Sequence, residues 1–251
     1  MKSPDHLRRL RLTLADGART TAHVAFYPLE SVTLGVRLLP GPMPLATWCR
    51  MAKVQEAMVG GFYVRAENGA AAAGTPLGEL WTDGVARPSL PFLAPWDQRR
   101  ACVSVDGDGV RIARREDLVA EPTGDLLQSG PLLVRDGEAV DHSAEGFSAG
   151  SEQFDSDITV GRYPRAALGY DDERLIALAC DGRADDEAGL TLDELAEALV
   201  ELGARDALNL DGGGSTSLVC AGKLRNVPRE SHGIPLVGGR PIATALVFAP
   251  R

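Results

Sequence analysis

The chain has 251 residues, with 26 Lys and Arg against 35 Asp and Glu, a formal charge of −9. At 44% apolar and 24% charged residues it matches globular domains and excludes a disordered or collagen-like chain. The acidic balance excludes a broad basic face for a nucleic acid polymer. A few arginines and backbone N–H groups still suffice for an anionic small molecule.

Residues 1–11 are basic but lead into no apolar run of signal-peptide type. No window approaches ~18 consecutive apolar residues. These features predict a cytoplasmic protein with no membrane partner. Cys49, Cys102, Cys180 and Cys220 are widely spaced, with no C-x-x-C pair, and read as buried reduced thiols. His6, His23, His142 and His232 form no H-x-x-H pattern, and each reads as a surface or structural residue.

Loose alternation over residues 10–38 about Gly17 predicts a hairpin and then a strand near Ser31–Leu38. Pro40-Gly41-Pro42-Met43-Pro44 predicts a break in regular structure. Trp48 to Met58 predicts a short helix running into Gly60-Gly61. Beyond the alanine run 70–73, the Gly, Pro and Thr content of Gly74–Leu93 predicts short strands and turns. Ala101–Val105 and Val110–Ala113 flank Asp106-Gly107-Asp108-Gly109 as a hairpin. Asp125–Val134 is one apolar run ending at the Arg135-Asp136-Gly137-Glu138 turn, and the polar stretch 141–161 predicts a surface loop.

The C-terminal third is the clearest. Leu168–Tyr170 and Leu175–Cys180 flank a turn and deliver Asp181-Gly182-Arg183. Thr191 and Glu194 form a capping box. Leu192, Leu195, Ala196, Leu199 and Leu202 form one apolar helical stripe, and Gly203 follows as a C-cap. Strands are expected over Asp206–Leu210, Ser217–Cys220 and Pro241–Phe248. Short strands outnumber helices and no linker divides the chain. The expectation is an α+β fold, one domain over 1–251, with mixed or antiparallel sheets and flanking helices.

The strongest chemical signal is Asn209-Leu210-Asp211-Gly212-Gly213-Gly214-Ser215-Thr216. Three glycines in a row suit a backbone needing positive φ or close approach to a ligand. Their N–H groups can converge on an anion, Ser215 and Thr216 add hydroxyls, and Asp211 suits acid–base work or metal ligation. A tight structural turn without ligand explains the same residues. Gly60-Gly61 before Phe62-Tyr63 reads as a turn on core aromatics. Asp181 with Arg183, and Arg162 with Arg165, offer charged groups or plain surface charge. Asp185-Asp186-Glu187 offers oxygens to a divalent cation such as Ca²⁺, or a solvated acidic loop. No P-loop, dinucleotide fingerprint or G-x-S-x-G elbow is present.

Arg165-Ala166-Ala167-Leu168-Gly169, Asp181-Gly182-Arg183, Gly189 to Ala196 and Leu202 to Thr216 occur in order and at tight spacing. Together they resemble the phosphodiester glycosidase family, whose members remove N-acetylglucosamine from a sugar phosphodiester. Gly60-Gly61-Phe62-Tyr63, Ser129-Gly130-Pro131-Leu132-Leu133 and Gly239-Arg240-Pro241 are similar to three further elements of that family. The resemblance spans about 55–251, with 1–54 as N-terminal strands packed on it.

It implies hydrolysis of the glycosidic C–O bond of a sugar-1-phosphodiester, a small-molecule partner. Asp211, Asp181 and Arg165 are then the catalytic candidates. Gly60, Gly61, Arg183, Asn209, Gly212, Gly213, Gly214, Ser215 and Thr216 are the substrate- and phosphate-binding candidates. Two positions depart from the family pattern: Val59 replaces Asn before Gly-Gly, and Ala166 replaces Thr after Arg. Loss of these polar groups predicts a changed substrate or lost hydrolysis. A non-catalytic sugar-phosphate binder, or a phosphodiesterase cutting P–O, are the alternatives.

Overall fold

A computed structural model describes residues 4–64, 73–141 and 161–251. The loop expected over 141–161, apart from residues 141 and 161, and the alanine run 70–73, apart from Ala73, lie outside the described residues. Gly17, at φ 84°, turns the chain between β1 (Leu7–Thr13) and β2 (Arg19–Pro28). Next come β3 (Val32–Pro44), helix α1 (Leu45–Ala52) and β4 (Ala57–Val59). The middle holds β5 (Leu80–Thr82), β6 (Val85–Ala86), α2 (Trp96–Arg99), β7 (Ala101–Asp106) and β8 (Gly109–Arg114). It continues with β9 (Asp125–Gln128), β10 (Leu132–Arg135) and β11 (Glu138–Ala139). The last third is β12 (Ala166–Tyr170), β13 (Arg174–Cys180), α3 (Leu192–Glu201) and β14 (Asp206–Asn209). It closes with β15 (Leu218–Cys220), β16 (Lys223–Leu224) and β17 (Pro241–Pro250).

Three sheets result, in the orders β1-β2-β13-β12-β14-β10-β11, β16-β15-β4-β17-β3 and β6-β5-β9-β7-β8, and their ladders run antiparallel. All three face one core, which joins Ala25 and Tyr27 of the first sheet, Met58 and Leu246 of the second, and Val103 and Leu127 of the third. β13 shows why the first sheet lacks polar alternation. Leu175, Ala177 and Ala179 enter that core, while Ile176, Leu178 and Cys180 face a second one under α3. A strand covered on both faces reads as a continuous apolar run. No helix among the described residues is long and apolar enough to cross a membrane.

Helix α3 carries the expected capping box: Glu194 N–H donates to Thr191 Oγ1 at 3.1 Å, and Thr191 N–H donates to Glu194 Oε2 at 2.9 Å. Gly203 follows at φ 89°. Leu192, Leu195, Ala196 and Leu199 are buried on the sheet. Each leucine buried contributes about 1.5–3 kcal/mol, against about 1 kcal/mol for a cap. Packing therefore holds this helix, and the cap sets where it begins.

Three expectations are corrected. The proline-rich stretch 40–44 does not break the chain but ends β3, the edge of its sheet, where a missing N–H costs no ladder bond. The expected break survives as a bulge within β3: Leu38 pairs with Thr244 and Met43 with Ile242, so residues 39–42 face Ala243 alone. Helix α1 lies earlier than its spacing suggests, ends at Lys53 with φ 58°, and gives way to strand β4, because Ala57–Val59 are recruited by β15 and β17. The run 125–134 is split at Ser129-Gly130-Pro131, which sends β9 and β10 into different sheets.

Candidate active site

β12, β13 and β14 are neighbours, with Ala166 opposite Ala179 and Ala167 opposite Asn209. Arg165, just before β12, and Asp181 and Asp211, just after β13 and β14, therefore arrive at the same end of the sheet. A second sheet joins them there, because Asp211 N–H donates to Gly60 O at 3.0 Å. That contact requires Gly60. A β-carbon on it would sit 2.5 Å from Thr244 Oγ1 and 2.9 Å from the Thr244 carbonyl. Gly61 N–H donates to the same hydroxyl at 3.0 Å.

The glycine turn spends most of its N–H groups on the fold. Gly212 donates to Asp211 Oδ1 (2.9 Å), Gly213 to Pro164 O (2.7 Å), Ser215 to Gly212 O (3.1 Å) and Thr216 to Gly213 O (3.2 Å). The converging N–H nest that three glycines suggest is thus largely used internally. What the glycines admit instead is two arginines. A β-carbon on Gly213, whose φ is 60°, would lie 3.3 Å from Arg183 Nη1. One on Gly214 would lie 3.1 Å from Arg240 Nη2.

These two guanidinium groups are held from behind. Arg183 donates to Arg229 O at 3.1 Å and lies 5.4 Å over the Tyr163 ring. Arg240 pairs with Glu230, with Nε 3.0 Å from Oε1. Burial weakens the Arg240 charge, but Glu230 foremost and the nearby Asp211 carboxylate outweigh it and raise its pKa. Asp211 and Arg240 thus share one electrostatic environment at the turn.

Arg165 and Asp181 have internal partners. Arg165 is buried and donates from Nε to Leu190 O (2.7 Å) and from Nη2 to Gly161 O (3.0 Å). Burial pulls its pKa down to about 10, so it stays charged at neutral pH. Asp181 accepts the Val227 N–H at 2.6 Å on Oδ1 and contacts His23 Nε2 at 3.1 Å on Oδ2.

Polar side chains flank Asp211 in the sequence. Asn209 Oδ1, Ser215 Oγ, Thr216 Oγ1, Ser217 Oγ and, on the approach to β10, Ser129 Oγ are buried without a hydrogen-bond partner among the described residues. An unmade hydrogen bond on a buried group costs about 1–3 kcal/mol, so several along one stretch call for explanation. Arg183 also lines an open cleft of about 350 Å³, shared with Arg162, Glu187, Ser231 and His232.

The acidic loop offers a cation less than its composition suggests. Glu187 is engaged by Arg11 and by the Thr21 N–H and hydroxyl at 2.6 and 2.8 Å. Asp185-Asp186-Glu187 therefore does not present three carboxylates to a cation.

Sequence reasoning named the turn but not all that surrounds it. Arg240 was visible only as part of Gly239-Arg240-Pro241. Ser129 was visible only at the start of Ser129-Gly130-Pro131-Leu132-Leu133, and Ser217 carries no motif of its own. Val59 and Ala166, the two departures from the family pattern, are fully buried in the apolar core.

A model of the phosphodiester glycosidase family matches residues 52–249. The mouse N-acetylglucosamine-1-phosphodiester alpha-N-acetylglucosaminidase is 31% identical over 106 residues, 42% of this chain and 20% of that protein. The human enzyme of the same name is 28% identical over 106 residues, with the same coverage. The match thus spans about a fifth of these curated relatives' length. Among solved structures, the zebrafish catalytic domain of that name superposes with a TM-score of 0.72 at 23% identity, over 98% of this chain and 82% of that one. A hypothetical protein from Synechocystis gives 0.71 at 18% identity, over 98% and 62%. Both likenesses are of fold. With the family model covering most of its length, the chain belongs to the phosphodiester glycosidase family.

Proposed function

We propose that the protein hydrolyses a sugar-1-phosphodiester, N-acetylglucosamine-phosphodiester-like or nucleotide-sugar-like, by cutting the glycosidic C–O bond. The observation that carries this reading is the arrangement at the glycine turn: the Arg183 and Arg240 guanidinium groups seated on Gly213 and Gly214, with the Asp211 carboxylate beside them.

Arg183 and Arg240 hold the phosphodiester, which leaves as a phosphomonoester. Guanidinium forks suit phosphate oxygens. Asp211 faces the anomeric carbon and either activates water or stabilises the oxocarbenium-like centre. Asn209, Ser215, Thr216 and Ser217 are enclosed behind the turn, where ordered water supplies the partners they lack and supports the turn from within. Arg183 also borders the cleft, so the aglycone lies along Arg162, Ser231 and His232. A phosphate leaving group is weakly basic, which reduces the need for a general acid.

Asp181 and Arg165 act in this reading as positioning residues. Asp181 ties the 227 loop to the sheet end, and Arg165 fixes the Gly161 carbonyl and that of Leu190, the residue bridged to Tyr163. The departures at Val59 and Ala166 exchange polar groups for core packing and leave the turn intact, which favours a changed substrate over lost hydrolysis. The four buried, unbridged cysteines suit a reducing, cytoplasmic setting.

A ³¹P NMR time course with N-acetylglucosamine phosphodiesters and UDP-N-acetylglucosamine tests the proposal. A phosphomonoester appearing with free sugar supports it. Ligand resonances that broaden on adding protein, with no turnover, would point instead to a sugar-phosphate binder.

A further inference from the structure

We propose that His6, Glu56 and Cys220 form a zinc site that clamps the N-terminal hairpin to the second sheet, away from the glycine turn. Their donor atoms, one imidazole nitrogen, one carboxylate oxygen and one thiol sulfur, all lie within 4.8 Å of one another. Among the described residues no other group of three such donors gathers this closely. Zinc bonds of about 2.0–2.3 Å in tetrahedral geometry set donors about 3.3–3.8 Å apart, so a contraction of at most about 1.5 Å closes the set.

The donor chemistry selects the ion. Thiolate and imidazole favour zinc over calcium or magnesium, which take oxygen ligands. Three protein ligands leave a fourth position for water. His6 and Glu56 are partly exposed, which gives an ion and that water access from solvent.

The cluster is built on fixed backbone. His6 O accepts the Phe26 N–H at 2.9 Å, holding it against β2. Glu56 O accepts the Phe248 N–H at 3.0 Å from β17. Cys220 ends β15, and its carbonyl accepts two bonds from Arg225, at 3.0 and 2.7 Å. The carboxylate is oriented as well. Tyr27 O–H donates to Glu56 Oε2 at 2.8 Å and Ala221 N–H to Oε1 at 2.7 Å. His6 Nε2 already lies 3.2 Å from Oε2, and the Tyr27 hydroxyl lies 3.5 Å from Cys220 Sγ. The Tyr27 hydroxyl thus serves as an outer-shell donor to the ligating carboxylate. Such an outer shell is typical of metal sites. On coordination the Cys220 thiol proton passes to solvent and the sulfur binds as thiolate.

Three side chains from two sheets share this point: His6 precedes β1 of the first sheet, while Glu56 and Cys220 flank β4 and β15 of the second. A bound ion therefore cross-links them and stabilises the folded chain by mass action.

The test uses the whole chain stripped with a chelator. Zinc is titrated against a chromogenic competitor, Co²⁺ spectra are recorded, and melting is followed with and without zinc. The expected result is one equivalent bound, a raised Tm, and a cobalt spectrum with a thiolate charge-transfer band. Cys220→Ser abolishes that band, His6→Gln abolishes stoichiometric binding, and Tyr27→Phe weakens affinity about 10–100-fold. His6 is partly exposed, so its variant folds even where Cys220→Ser does not. No bound equivalent, a cobalt spectrum without the thiolate band, or unchanged affinity in His6→Gln would each overturn the proposal.

Discussion

Arg240 donates its backbone N–H to Gly214 O at 3.0 Å, while its guanidinium lies against the space a β-carbon on Gly214 would fill. The late strand and the glycine turn are therefore fitted to each other. Gly214→Ala displaces the flexible end of Arg240 without straining the backbone. It should raise KM about tenfold, about 1.4 kcal/mol, with little change in Tm. Gly213→Ala behaves differently because its φ is 60°. That strain costs about 1–2 kcal/mol and should lower Tm by about 2–8 °C. Steady-state kinetics beside thermal melts distinguish the two.

Arg183 and Arg240 are predicted to carry the phosphate. A hydrogen bond to a charged group contributes about 1.5–3 kcal/mol, or about 10–150-fold. Arg183→Met and Arg240→Met should each lower kcat/KM by about that factor while the protein stays folded. Unchanged kcat/KM in both would remove the phosphate from this end of the turn.

The sheet end was legible in the sequence because its signals are local. The capping box, Gly203, the glycine turn and the apolar runs of β12 to β14 each declare themselves within about a dozen residues. Proximity across sheets was not legible. Gly60 and Asp211 were joined only through the family resemblance, and no local signal brings His6 to Cys220, because those contacts join strands far apart in the chain. The three glycines suggested an N–H nest, yet tertiary packing turned those donors inward and used the missing β-carbons to seat Arg183 and Arg240. The prolines of β3 misled in part, for the same kind of reason: an edge strand tolerates what a central one does not.

Asp181 and Asp211 are predicted to differ in kind. Asp181→Asn loses the charge that accepts the Val227 N–H and faces His23, at about 1.5–3 kcal/mol and about 3–12 °C in Tm. The remaining folded protein should retain most of its kcat. Asp211→Asn should lower kcat by about 10²–10⁴-fold and leave phosphodiester binding largely intact. Melting curves and active-fraction-corrected kcat check both, and a kcat loss as large for Asp181→Asn would make it catalytic.

The start of α3 should set part of the acid lability. Burial opposes ionisation of Glu194, but hydrogen bonds from Arg162 and from the Thr191 backbone outweigh it and lower its pKa. A carboxylate held down in the folded state stabilises above its ordinary pKa and loses that contribution as pH falls through the folded value. Glu194→Gln should therefore be less stable than the parent at neutral pH and converge with it in acid. Thr191→Ala should lower Tm by about 2–4 °C through a cap worth about 1 kcal/mol. Urea unfolding across pH reads the first, and thermal melts the second.

The account rests most heavily on which bond breaks. Hydrolysis of a sugar-1-phosphodiester in ¹⁸O-water, read by ³¹P NMR and by mass spectrometry of the sugar, answers that directly. The account predicts ¹⁸O in the released sugar and an unlabelled phosphomonoester. Label in the phosphate would mean attack at phosphorus and would contradict a glycosidase centred on Asp211.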